Sequence, residues 1–185
     1  MKIKENVNNN VRKIIAFDPG VRNFAYSILS IEQPATTILS GHLKNPIFSI
    51  KEADVKNSVS LFLWEVEDLF KRIGYNNEQD RIIIERYQSR GVYKNNQIEL
   101  VNMMIGILLG HYDALPVMPS TWKTFIKRRY GSSDMLHLLQ NSNLSPHMAD
   151  ATGMATFYAE RYCEKEKLID QLKSTMQSWT LEGFS

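Results

Sequence analysis

Ile14-Ile15-Ala16-Phe17-Asp18-Pro19-Gly20-Val21-Arg22-Asn23-Phe24-Ala25-Tyr26-Ser27-Ile28-Leu29 reads as an apolar strand, a tight turn and a second apolar strand. Pro19 fixes one φ and Gly20 is free to take a positive one, which is turn chemistry. The return strand, Phe24 to Ile31, mixes aromatic, β-branched and small residues. Asp18 stands where the first strand stops. A carboxylate at the end of a buried strand is costly unless something pairs with it, and a metal cation is one such partner. Taken alone, Asp18 reads first as a residue that merely opens the turn, since Asp before Pro-Gly is common turn chemistry, so a further meaning depends on the rest of the chain.

Moving outward, Pro34-Ala35 is a turn and residues 36–43 form a third strand, which completes an antiparallel meander. Residues 44–54 read as loop. Val59, Phe62, Val66, Leu69, Phe70 and Ile73 mark one face of a helix over 55–73, with Gly74 at the C-cap position. Arg81-Ile82-Ile83-Ile84-Glu85 repeats the opening pattern, a short apolar run typical of a strand buried on both faces, again ending in a carboxylate. Residues 86–94 are polar, basic and aromatic and read as a loop. The spacing predicts a strongly apolar helix over 95–110, deeply buried or half covered by a partner subunit. A fifth strand is expected over 111–118, ended by Pro119, and Ser120 opens a helix carrying Lys123, Lys127, Arg128 and Arg129 with no acid. A short helix over 134–140, a turn over 141–146 and a last helix over 147–167 complete the chain's regular elements. Three strands and then alternating helices and strands predict an α/β fold with a five-stranded mixed sheet, covered by helices on both faces.

Composition sets the limits. A chain of 185 residues, 43% hydrophobic and 23% charged, is enough for one domain with a real core. Its net charge of +2 does not argue for nucleic acid unless the cations cluster. One cysteine, Cys163, excludes an internal disulfide framework and fits a reducing, cytoplasmic compartment. No run reaches the roughly eighteen apolar residues of a membrane span. Residues 1–12 read as a flexible leader, 13–167 as the domain, and 168–185 as its C-terminal extension.

The chemistry lies in the acids. Asp18 and Glu85 each end a strand, and Asp150 falls in the first turns of the last helix. His147 lies three residues before Asp150, on the same helix face. Adjacent strands would bring all four to one point. Oxygen donors with one imidazole suit two Mg²⁺ ions, or Mn²⁺, for phosphodiester hydrolysis. Each residue alone has a plainer reading: His147 as helix or core packing, Asp150 as a favourable acid near a helix N-terminus.

Three segments together resemble the RuvC-like Holliday junction resolvases, of the RNase H-like (retroviral integrase) superfamily. Residues 14–29 resemble their first motif. Arg81 to Tyr93, RIIIERYQSRGVY, resembles the second, and Ser145 to Ala155, SPHMADATGMA, the third. The resemblance spans about residues 13–165 and points to a phage or viral member, working in a bacterial or phage-infected cell. It implies an RNase H-like fold and a Mg²⁺-dependent endonuclease that nicks four-way junctions as a homodimer. It implies Asp18, Glu85, His147 and Asp150 as ligands of two ions, and Lys123 beside the scissile phosphate. A second basic residue, placed further on in some members, has no counterpart in Gly131-Ser132-Ser133-Asp134. The DNA-contacting set expected here is Arg86, Tyr87, Arg90, Tyr93, Lys94, Lys123, Lys127, Arg128 and Arg129, with Tyr87 or Tyr93 in the place of an aromatic wedge. The rival readings are a related nuclease acting on flaps or RNA–DNA hybrids, a non-catalytic junction-binding protein, and a sugar-kinase-like fragment. The last needs a second glycine-rich phosphate hairpin, which the sequence lacks.

Overall fold

The structure is a computed structural model and describes residues 11–20, 24–32, 35–43, 55–86, 96–140, 143–163, 165 and 167–173. The strands are β1 (Lys13–Asp18), β2 (Ala25–Ser30), β3 (Thr36–His42), β4 (Asp80–Glu85) and β5 (Leu115–Val117). The helices are α1 (Val55–Ile73), α2 (Asn96–His111), α3 (Pro119–Tyr130), α4 (Met135–Leu139) and α5 (Pro146–Tyr162). The sheet order is β3-β2-β1-β4-β5. The first three strands are antiparallel neighbours, while β4 runs parallel to β1 and β5 parallel to β4. This is the expected α/β fold with a mixed five-stranded sheet.

Period-two alternation sorts the strand residues onto two cores. Ile15, Phe17, Ile82 and Ile84 face Phe62, Val66, Leu69, Leu100, Val101, Met104 and Leu108 of α1 and α2. Ile14, Ala16 and Ile83 face Trp122 and Ile126 of α3, Met135 of α4 and the small residues Ala149, Ala151, Ala155 and Ala159 of α5. By the same alternation, Asp18 follows Ala16 and Glu85 follows Ile83 onto the α5 face. A helical stretch at 168–173 adds Leu168, Ile169 and Leu172, all fully buried, to that core. At the other end of the described chain, Val11 packs on the same core and the Arg12 backbone is bonded to Gln79 and Ile31.

Several boundaries differ from the expectation. The fifth strand is only Leu115–Val117, because α2 runs on to His111 and the chain then turns through Asp113 at φ 52°. Pro119 opens α3 rather than merely ending the strand, since a first-turn proline loses no helical hydrogen bond. Helix α5 stops at Tyr162, five residues earlier than expected. Gly74 caps α1 at φ 60°, as its position predicts. On the edge strand, β3 pairs Leu39 with Ile28 and then Thr37 with Leu29, so Ile38 bulges out of the ladder. Such a bulge discourages pairing of the open edge with another chain. Within α2, Met104 is wholly buried in this chain's own core, so it is not available to a partner, whereas Met103 is 51% exposed.

Candidate active site

Strand register lays the acids in one row. β1 and β2 pair Asp18 with Ala25, and β2 and β3 pair Ala25 with His42. β1 and β4 are in step through Phe17 and Ile84, which places Glu85 beside Asp18, and Glu85 in turn pairs with Val117. The row His42, Ala25, Asp18, Glu85, Val117 therefore crosses the whole sheet at one end, with strands about 4.8 Å apart. Ala25 leaves only a methyl group between His42 and Asp18.

Helix α5 begins over this row. Ser145 is its N-cap, its Oγ accepting from Met148 N–H at 3.2 Å, and Pro146 occupies the first turn. Thr152 and Ser27 join α5 to β2 through a buried hydroxyl pair at 2.8 Å, which continues to Ser40 of β3 at 3.1 Å. These contacts fix the rotation of α5 and so the direction of His147 and Asp150.

Each acid has a neighbour. His147 Nδ1 donates to Asp18 Oδ2 at 2.8 Å; in the neutral ring with its proton there, Nε2 carries the lone pair. Lys123 Nζ donates to Asp150 Oδ2 at 2.9 Å and lies 4.9 Å from the Trp122 ring centroid. Trp122 Nε1 donates to Glu85 Oε2 at 2.7 Å. Ser145 Oγ and His42 Nε2 are 3.1 Å apart, so His42 joins the edge of the cluster. Burial pushes the Asp18 carboxyl up from its ordinary range, against the bond and charge of His147. Glu85 is also pushed up by burial, and the Trp122 N–H opposes it. Both acids sense Asp150 and Lys123, so the cluster is electrostatically one unit. For Lys123, burial works against its charge, but the bond to Asp150 and the charges of Asp150, Glu85 and Asp18 outweigh it, so the proton is held more tightly than usual. His42 is lowered by burial and by the charge of His147.

The structure thus brings Asp18, Glu85, His147, Asp150 and Lys123 together. Their chemistry, three carboxylates and an imidazole with an available nitrogen, fits hard divalent cations. As they stand, no three acid, His or Cys side chains among the described residues close on a single ion position. Of the expected DNA-contacting set, Arg86, Lys127, Arg128 and Arg129 are exposed. Arg129 also reaches inward, its Nε 2.6 Å from Oε2 of the fully buried Glu160 carboxylate. Tyr87, Arg90, Tyr93 and Lys94 lie outside the described residues. Sequence reading missed Trp122, His42 and Arg161; the last lines a groove between α3 and α5 with Arg128, Phe125 and Tyr162. Trp122 and His42 are defined by partners distant in sequence, Glu85 and Ser145, and only the apolar spacing of Trp122 hinted at burial.

No protein-family model and no curated protein sequence matches the chain. Solved structures do. Thermus thermophilus RuvC in complex with a Holliday junction substrate superposes with a TM-score of 0.58 at 14% identity, over 82% of this chain and 96% of that one. A second T. thermophilus RuvC structure gives 0.55 at 13%, over 80% and 95%. The yeast mitochondrial Holliday junction resolvase Ydc2 gives 0.58 at 14%, over 96% of this chain and 90% of that one. The fold is RuvC-like along most of the chain. These neighbours are bacterial and mitochondrial and lend no support to a phage or viral source.

Proposed function

We propose that this protein is a structure-selective endonuclease, a Holliday junction resolvase, that makes paired nicks in branched DNA as a homodimer. The observation that carries the reading is the acid row. Asp18 and Glu85 end adjacent central strands of a RuvC-like sheet, and α5 sets His147 and Asp150 over them. Clustered carboxylates at one end of a sheet are costly unless they serve a cation.

Asp18, Glu85 and Asp150 through oxygen, and His147 through Nε2, would hold two Mg²⁺ ions, with Mn²⁺ able to replace them. When bound, such ions activate water and stabilise the leaving 3′ oxygen. The chain's own residues do the rest. Lys123 places a cation at the mouth of the cluster, where it meets the negative charge of the phosphate. Lys127 and Arg128 continue that cationic face along α3 and bind backbone phosphates without reading bases. Two symmetric nicks require two such sites related by a two-fold axis.

A nicking assay tests the reading. It compares a synthetic four-way junction, a flap and an RNA–DNA hybrid, each with and without Mg²⁺. Paired symmetric nicks in the junction, lost in Asp18→Asn, Glu85→Gln and Asp150→Asn while junction binding survives, are the expected result. Full cutting by any of these variants sinks the cluster as the site. Binding without cutting in Mg²⁺ makes the protein a junction binder, and preferential cutting of the flap or hybrid reassigns the substrate.

A further inference from the structure

Trp122 is fully buried, which by bulk alone would make it core filler. Its only polar atom is the indole N–H, which can donate but never accept. It spends that donor on Oε2 of Glu85, at 2.7 Å. The ring packs directly on the α5 backbone at Gly153, where a built Cβ would lie 2.8 Å from Trp122 Cζ3 and 2.7 Å from Met135 Cγ, so this contact needs glycine. The next residue, Lys123, binds Asp150 in the same manner. Two consecutive residues of α3 thus each grip one acid of the cluster, and the indole is the more rigid of the two grips. A glutamate side chain has three rotatable bonds, and its freedom must be surrendered when it binds an ion.

We propose that Trp122 is a positioning residue for the metal site. Its N–H occupies Oε2, holds Glu85 in one rotamer, and leaves Oε1 as the oxygen that binds a divalent cation. The inference rests on the metal-dependent function proposed for this site and adds to it a residue that touches neither ion nor DNA. Outer partners that orient a ligand commonly change metal affinity or activity by about 10- to 100-fold when removed.

The test separates the hydrogen bond from the packing. Trp122→Phe keeps an aromatic ring and removes the donor. A second variant places at residue 122 the benzothienyl analogue of tryptophan, whose sulfur replaces the N–H with nearly the same shape. Mn²⁺ binding to the full chain without DNA is followed by electron paramagnetic resonance, alongside the melting temperature and the junction dissociation constant. Both variants are expected to bind Mn²⁺ about 10-fold more weakly, to need correspondingly more Mg²⁺ for half-maximal nicking, and to bind the junction as the wild type does. If Trp122→Phe unfolds, the analogue decides. Wild-type Mn²⁺ affinity in the analogue makes Trp122 core filler and overturns the inference alone. A wild type that takes no Mn²⁺, or takes it equally after Glu85→Gln, overturns the metal reading and the inference with it.

Discussion

Asp18 and Glu85 hold their protons more tightly than ordinary carboxyls, chiefly through burial. Between the ordinary carboxyl pKa and the raised folded value, the native state binds more protons than the unfolded one, so stability falls as pH rises through that window. Glu85→Gln is therefore expected to raise the melting temperature at neutral pH while abolishing nicking, a gain of the roughly 0.5–2 kcal/mol typical when a functional strain is relieved. Thermal melts from pH 4 to 8 check this: the gap between variant and wild type should shrink as pH falls and Glu85 becomes neutral itself. A constant gap would assign the effect to something other than ionisation. Lys123 stands apart from the general basic face through its bond to Asp150. Lys123→Ala is expected to slow nicking by about 100-fold, the scale of a lost transition-state charge partner, while junction affinity changes by less than about threefold, since one phosphate contact among many adds little. Single-turnover rates and binding titrations on one junction separate the two; equal losses would return Lys123 to the ordinary cationic face. The acids were legible in the sequence because their positions follow from strand ends and a helical spacing of three. Trp122 and His42 were not, because their partners, Glu85 and Ser145, come from other elements.

Among the elements, α3 and α5 and the stretch 168–173 meet at Glu160. This carboxylate accepts from Tyr130 OH and from Leu168 N–H, and pairs with Arg129. The bond raises the Tyr130 hydroxyl well above its ordinary range, after the larger effect of burial. Glu160→Ala would leave these donors facing a dry cavity, and is expected to cost on the order of 3 kcal/mol, the lower end for breaking a buried pair because Arg129 is partly exposed. Urea unfolding measures this, and a loss under about 1 kcal/mol would mean water replaces the carboxylate. Apolar periodicity gave α1 to the residue at both ends, since Val66 and Leu69 face one core and Gly74 stops the helix. It overextended α5, because Cys163 still packs on the core although it is already the C-cap that ends the helix after Tyr162. Proline read as a strand end at 119 is a helix start, a distinction that depends on ψ, since the ring holds φ near the same value in both settings.

At the scale of the molecule, the apolar excess of α2 is mostly internal: Leu100, Val101, Met104 and Leu108 are spent on this chain's core. Met103 remains outside, and Gly106 and Gly110 have open space where a Cβ would stand. A homodimer through α2 would use that face, and Met103→Glu is expected to give a monomer that still folds. Light scattering at micromolar concentration, with circular dichroism as the control, checks it; a variant that stays dimeric puts the interface elsewhere. The mixed sheet was readable because a meander followed by helix–strand alternation admits few topologies. The fit of the last helical stretch into the core was not, since Leu168, Ile169 and Leu172 look in sequence like any amphipathic tail.

That last stretch bears on how the protein is made. Asp18, Glu85 and Asp150 arrive from the ribosome far apart in time, and residues 168–173 are the last described part of the core beneath α5 to be made. A nascent chain holding every acid of the cluster still lacks Leu168, Ile169 and Leu172, whose burial contributes roughly 1.5–3 kcal/mol each. Translation thus delivers every acid of the cluster before the segment that completes its supporting core, so a stalled product ending near residue 165 is expected to lack the nicking activity proposed for the full chain in the four-way-junction assay.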